Sequence, residues 1–304
     1  MFPGLQNPKA LIITINYKSE DSLLELVRSL QRIKAFCETK VIIVDNSLAE
    51  ANIPMIRFSI REMSNIELVP SQVNRGYFGG AKFAFDHYLA DGHNMPDWVI
   101  VSNHDILIED KDFFIKLFRE DPDAVGVIAP RIQTLPGKLD QNPFIKHRPG
   151  LLRWTQLRLV SSHYIVAIIW DWLWRKKAAF RSWLALRRRG APPGGSARRE
   201  SIYAAHGSFF IFSRRYFEMG GFLDGNLFLY GEEISVAEIC RSLNLPVVYE
   251  PSLGVSHKEH QSTGKVLTRF TYECQRKALQ YLSSRYMSVP RGPTNLSQSN
   301  LEVK

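Results

Sequence analysis

Glu232 and Glu233 stand side by side in "FLYGEEISVAEI" (Phe228 to Ile239), directly behind an aromatic and apolar run. The apolar spacing predicts a helix from about Glu233 to Ser242, which puts both acids at its start. There the helix dipole favours negative charge, while mutual repulsion raises the pKa of one member. A carboxylate tuned in this way can take a proton from a hydroxyl, although solvated first-turn acids carry the same pattern. Asp105, in "SNHDI" (Ser102 to Ile106), follows a predicted strand and offers oxygen to a hard divalent cation; a surface turn is the plainer alternative. His257 in "VSHKEHQST", with His260 three residues on, offers ring nitrogens to a metal or is simply a polar loop residue. "NRGYFGG" (Asn74 to Gly80), opening a predicted helix, presents backbone N–H groups to an anion, or is an ordinary turn. It is not GxGxxG and no GKS or GKT follows it, which argues against dinucleotide and P-loop sites.

The elements that must hold these groups alternate along the first 130 residues. "ALIITI" (Ala10 to Ile15) is a buried-type strand. Leu23, Leu26, Val27, Leu30 and Ile33 then form a helical apolar face behind a capping candidate, Ser19. Strands follow at Val41 to Val44, Ile66 to Val69 and Trp98 to Val101, with a helix from about Ala81 to Leu89 before the last of them. This order is that of an α/β fold, a mostly parallel central sheet flanked by helices. Ligands of such sheets bind at the carboxyl ends of the strands. Those ends carry Asn16 and Tyr17, Asp45, Asn74 to Gly80 with Gly76 among them, and Asn103 to Asp105, so all face one crevice. Further strands are expected near Val125 to Ala129, Gly207 to Phe212 and Pro246 to Tyr249, with a closing helical run from Lys265 to Met287.

The chain of 304 residues is 45% hydrophobic and 12% aromatic, enough for one large core or two modest ones. Its net charge of +9 is local: residues 151 to 200 hold 11 Lys/Arg against 2 Asp/Glu, and the rest is neutral in sum. Cys37, Cys240 and Cys274 are far apart with no CxxC pair, as suits a reducing compartment. No signal peptide is expected from the first residues. The uncharged stretch from Leu159 to Trp170 is shorter than the roughly 20 residues of a spanning helix.

The string from "GSFFIF" through "GGFLDGNLFLYGEE" to "PSLGVSHKEHQST" closely resembles the C-terminal half of inverting, family 2 glycosyltransferases, particularly bacterial rhamnosyltransferase-like members. Those proteins carry a GG-F-D segment, an F-x-Y-x-ED or EE pair and a V-x-H-x-x-x-x-S ending. "INYKS", "VDNS", "NRGYFGGAK" and "NHD" are similar to the family's elements at successive strand ends, the last standing where a DxD or N-x-D motif is expected. The resemblance covers about residues 10 to 130 and 203 to 287. Lys18, Lys82 and Ser235 depart from it, standing where the family usually has Asn, Asn and Asp.

The resemblance implies a GT-A type nucleotide-binding fold and a nucleoside-diphosphate sugar, dTDP- or UDP-linked with rhamnose as one choice, lying across the strand ends. It places Asn16, Tyr17, Asp45, Asn74, Gly76 and Asn103 around the nucleotide sugar, and a divalent cation, Mg²⁺ or Mn²⁺, between Asp105 and His257. Glu233 matches the family's base, with Glu232 orienting the acceptor or tuning its neighbour. The acceptor would be a lipid-linked glycan or a lipopolysaccharide or polysaccharide precursor. Two alternatives stay open: an inactive sugar-nucleotide-binding scaffold, and a sugar nucleotidyltransferase, against which "NYKSED" after the first strand argues.

The expected organisation is a nucleotide-sugar half (1–150), a basic aromatic insertion (151–200), an acceptor half (201–264), a C-terminal helix (265–289) and a disordered tail (290–304). "WDWLWRKKAAFRSWLALRRRGAPPGGSARR" mixes tryptophans with Arg and Lys without clearing one helical face. An anionic membrane surface is favoured as its partner over nucleic acid, packing on the enzyme being the third reading. The expected location is the cytoplasm, peripheral at the inner face of the cell membrane.

Overall fold

The computed structural model describes residues 8–48, 53–135, 139–173, 176, 198–258 and 267–287. His260, the basic run after residue 176 and the C-terminal tail lie outside them. The described residues build one nine-stranded sheet with helices on both faces. In chain order the elements are β1 (Ala10–Asn16), α1 (Glu20–Leu30), β2 (Thr39–Asp45), α2 (Ile53–Ile60), β3 (Ile66–Pro70), α3 (Gly76–Ala90), β4 (Trp98–Asn103), β5 (Ile106–Leu107) and α4 (Phe113–Leu117). Then come β6 (Val127–Thr134), α5 (Leu151–Val160), α6 (described over 164–173), β7 (Glu200–Ile202), β8 (Phe209–Ser213), α7 (Arg214–Glu218), α8 (Glu232–Ser242), β9 (Val247–His257) and α9 (Arg269–Tyr286).

Strands run in the order β3-β2-β1-β4-β8-β6-β9-β5, with β7 also on β9. The first four are mutually parallel, as the alternation of strand and helix requires; β8 enters antiparallel between β4 and β6. β1 is buried along its whole length and feeds both faces. Ala10 and Ile12 pack toward α1, α2 and α4, whereas Leu11, Ile13 and Ile15 pack toward α3 and α8. A strand covered on both sides reads as an unbroken apolar run, which is why "ALIITI" does not alternate.

Two details differ from the sequence reading. Ser19 occupies the N-cap of α1 but makes no capping bond; its hydroxyl donates to the Tyr17 carbonyl at 3.2 Å. β9 runs to His257, far beyond Tyr249, by shifting register opposite Pro130 and Arg131. No helix among the described residues is long and apolar enough to cross a membrane.

Candidate active site

The strand ends of β1 and β2 are tied by side chains. Asn16 donates from Nδ2 to Asp45 Oδ1 (3.0 Å), which also accepts from the Ser47 hydroxyl (2.6 Å) and the Ser47 backbone N–H (3.2 Å). Both Asn16 and Asp45 are buried, and Asn16 Oδ1 has no hydrogen-bond partner among the described residues. Lys18 follows in a left-handed conformation (φ +53°), its N–H donating to Ser47 Oγ at 2.9 Å, and its ammonium lies over the exposed Tyr17 ring.

The glycine loop behaves as a joint. Asn74 Oδ1 accepts from the Gly76 N–H (3.0 Å), and the Tyr77 N–H donates to the Phe228 carbonyl (2.9 Å). These two N–H groups of the first turn of α3 are therefore held by protein acceptors and not presented to an anion. Gly76 sits at φ +71°, and a Cβ there would lie 2.1 Å from the Phe228 carbonyl oxygen. Only glycine lets α3 dock so closely on the segment that leads to the acid pair.

Asp105 and His257 come together through a two-residue strand. β5 pairs antiparallel with β9, setting Ile106 opposite His257, and the Lys258 N–H donates to the Asp105 carbonyl at 3.0 Å. His257 Nε2 then lies 3.3 Å from Asp105 Oδ1, with both side chains buried. His257 Nδ1 is 2.7 Å from Gln141 Oε1. A proton on Nδ1 satisfies that contact and leaves the Nε2 lone pair facing a carboxylate oxygen that has no hydrogen-bond partner among the described residues. Two buried electron-pair donors turned toward each other suit a cation between them, and a carboxylate with an imidazole accepts Mg²⁺ or Mn²⁺. Asn103 borders this pair, its N–H donating to the Ser208 carbonyl (2.9 Å).

His206 belongs to the same corner, although sequence reasoning passed over it. Its ring centroid is 5.9 Å from that of His257, and its Nδ1 accepts from the Ser208 N–H (3.2 Å). Burial, reinforced by His257, pushes its imidazole down to about 4. Burial likewise lowers His104.

Glu232 and Glu233 open α8 behind two consecutive left-handed residues, Tyr230 (φ +71°) and Gly231 (φ +89°). A non-glycine residue at positive φ is uncommon, and here it turns the chain into α8, where Glu233 lies against Gly207 just ahead of β8. Burial, then the charge of Glu233, pushes Glu232 up to about 8. Its Oε1 is buried without a hydrogen-bond partner among the described residues. Burial raises Glu233 too, opposed by its own N–H and those of Gly207 and Gly231. Tyr77 links this pair to Asp105: burial and then the charges of Glu232, Glu233 and Asp105 hold its phenol well above the ordinary range. Geometry ties the pair to the same corner: Glu233 lies against Gly207, and the neighbouring His206 packs on His257.

Asp224, in "GGFLDG", is a second residue the sequence reading left unassigned. Buried, it accepts from the hydroxyls of Tyr286 (2.6 Å), Tyr281 (3.0 Å) and Ser235 (3.2 Å), which fastens α9 against the start of α8. Beside Glu233, α5, α6 and α9 enclose an apolar cleft of about 800 Å³. A separate trio, Glu67, His87 and Asp91, lies at the opposite rim, where α3 ends, and Lys40 pairs with Glu67 there at 2.8 Å.

No protein-family model and no curated protein matches the chain. Solved structures do. The mannosyltransferase PcManGT from Pyrobaculum calidifontis, in complex with GDP-Man and Mn²⁺, superposes with a TM-score of 0.51 at 12% identity over 94% of this chain and 77% of that one. GalNAc-T7 with UDP, GalNAc and Mn²⁺ gives 0.55 at 11% identity, over 90% of this chain and 47% of that one. S. aureus TarS with UDP-GlcNAc gives 0.53 at 13% identity, over 88% and 64%. The chain thus spans less than two thirds of the latter two proteins. At these identities the likeness is one of architecture, and the chain has the mixed α/β fold of GT-A type glycosyltransferases.

Proposed function

We propose that the protein is a metal-dependent inverting glycosyltransferase of the family 2, rhamnosyltransferase-like kind, moving a hexose from a nucleoside-diphosphate sugar to a hydroxyl. One observation carries the reading: a buried carboxylate faces an imidazole, and the acid pair, Glu232 buried and Glu233 half-buried, lies next to them through Gly207, which touches Glu233, and His206, which packs on His257. The same-fold structures that hold GDP-Man or UDP with Mn²⁺, and UDP-GlcNAc, support a nucleotide-sugar donor and a divalent cation.

In this reading residues 1–150 form the donor half and 201–264 the acceptor half. Asn16, Tyr17, Asp45, Asn74 and Asn103 surround the nucleotide sugar, with Gly76 as the joint that brings α3 against it. Asp105 and His257 hold the cation, which when bound supplies Lewis-acid stabilisation to the leaving diphosphate. Glu233 accepts the acceptor's proton as its oxygen bonds to the anomeric carbon and the bond to the diphosphate breaks. Glu232, protonated up to about 8, donates a hydrogen bond without adding a second negative charge. Thymine or uracil is the donor base, rhamnose a donor sugar consistent with the sequence pattern, and a lipid-linked or polysaccharide precursor at the inner face of the cell membrane the acceptor.

The test is the melting temperature against UDP, dTDP, GDP and CMP, each with Mn²⁺ or with EDTA. Ligand at 100-fold its Kd stabilises by about 2.7 kcal/mol, a shift of several degrees. The expected result is a Mn²⁺-dependent rise with one diphosphate that disappears in Asp105→Ala. No rise with any nucleotide refutes the donor site.

A further inference from the structure

The cleft beside Glu233 is lined on one side by Trp154, Leu157 and Val160 of α5 and on the other by Ala278, Leu279 and Leu282 of α9. Ser161, Asp171, Thr271 and Gln275 also line the cleft, but these two walls are apolar and suit a hydrocarbon chain. They nevertheless contain one unused donor: the indole N–H of Trp154 is buried and has no partner among the described residues. A smaller cleft of about 470 Å³ adjoins it, shares Ser161 and Leu279, and carries Arg158 and Arg276. Leu152 on α5 and Ile165 and Ile169 on α6 are exposed on faces of these helices other than the ones that line the cleft. The apolar cleft therefore has Glu233 in its lining and the Arg158 and Arg276 cations of the smaller cleft beside it.

We propose that this cleft binds the hydrocarbon chain of an anionic amphiphile, the acceptor being a sugar joined to that chain through phosphate. Trp154 donates to an oxygen of the ligand, the Arg158 and Arg276 side attracts its phosphate, and Glu233 meets the sugar hydroxyl. The word acceptor rests on the transferase reading above; the ligand class rests on the cleft alone.

The experiment is quenching of tryptophan fluorescence by brominated dodecyl maltoside below its micelle concentration, since bromine quenches an indole it touches. Saturable quenching is expected, reduced in Trp154→Phe, lost when Trp170→Phe is added because Trp170 lines the same cleft, and shifted about tenfold to higher concentration by Leu157→Arg or Leu279→Arg. Both leucines are half-buried, and an unchanged far-UV spectrum and melting curve identify the variants that keep the fold. Dodecyl phosphate is expected to displace the probe at about tenfold lower concentration than dodecyltrimethylammonium. Non-saturating quenching, or quenching that the variants leave unchanged, overturns the cleft as a chain site; equal displacement by the two amphiphiles overturns its anionic character. Saturable binding in a protein that turns over no nucleotide sugar upholds the ligand class and refutes the transferase reading, so the two fail separately.

Discussion

Glu232 and Glu233 are chain neighbours, yet the backbone treats them differently. Both have backbone N–H groups beside them, Glu233 its own and those of Gly207 and Gly231, Glu232 its own and that of Tyr230, but Glu232 keeps a buried oxygen with no partner among the described residues. The better solvated member is the one suited to cycle between ionised and protonated forms, which assigns it the base role. Glu233→Gln is expected to lower transfer by about 10²–10⁴-fold and to leave the nucleotide-dependent melting shift intact; full activity would overturn the assignment. Because burial raises this carboxyl, initial rates in the wild type should climb as pH rises from acid toward neutral. Glu232 supplies a second pH signature, in stability. Its folded pKa of about 8 lies above the unfolded 4.5, so the folded state holds the extra proton between them. That contribution is complete below 4.5 and is lost as pH rises through about 8. Glu232→Gln, which cannot ionise, should therefore gain melting temperature relative to wild type across that window and little below it. A difference independent of pH would mean that Glu232 titrates normally in the fold.

At the scale of elements, the site is made where two segments distant in sequence touch, and the smallest of them matter most. Gly76 illustrates this, because any side chain there must displace the Phe228 carbonyl and accept a left-handed backbone as well. Gly76→Ala is expected to cost about 2–4 kcal/mol, read as a lowered denaturant midpoint, since it combines backbone strain with lost docking of α3. Strands β1, β2 and β4 were legible because each is an apolar run closed by a polar residue, and α1 because its buried residues recur at helical spacing, whereas α8 is buried at nearly every position. What could not be read was anything fixed by pairing across the chain. β5 is two residues long and carries no periodicity, yet it alone brings Asp105 beside His257. His206 was passed over for a related reason. Residues before a strand lie at the ligand rim only if the strand runs antiparallel to its neighbours, as β8 does, and direction is not written in local sequence. The glycine loop was legible as a site element, but its work as a joint depends on Phe228, far along the chain.

For the whole molecule, the disposition of charge and exposed apolar surface poses the remaining question. The sheet and its helices are neutral in sum, and the net charge of +9 falls in the stretch that contains α5 and α6. On those helices Leu151, Leu152, Leu159, Ile165, Ile169 and Trp172 are exposed, Leu152 at 89%. Exposed apolar residues recurring on one face of each helix mark a contact with something apolar. Arg158 and Lys176 on the same helices, and the basic sequence that follows α6, match an anionic lipid surface, where each cation is worth about 1 kcal/mol. Such binding has two separable parts, one that salt screens and one that it does not. The full chain is therefore expected to float with vesicles containing anionic lipid, and to float less as salt is raised. Ile165→Asp with Ile169→Asp should abolish flotation even at low salt, because the charges alone cannot replace insertion of the apolar face. Both residues lie on the outside of α6, so the Mn²⁺- and nucleotide-dependent melting shift should survive the change. A double variant that floats like the wild type would assign the exposed face to some other contact and leave electrostatics as the only tie to the membrane.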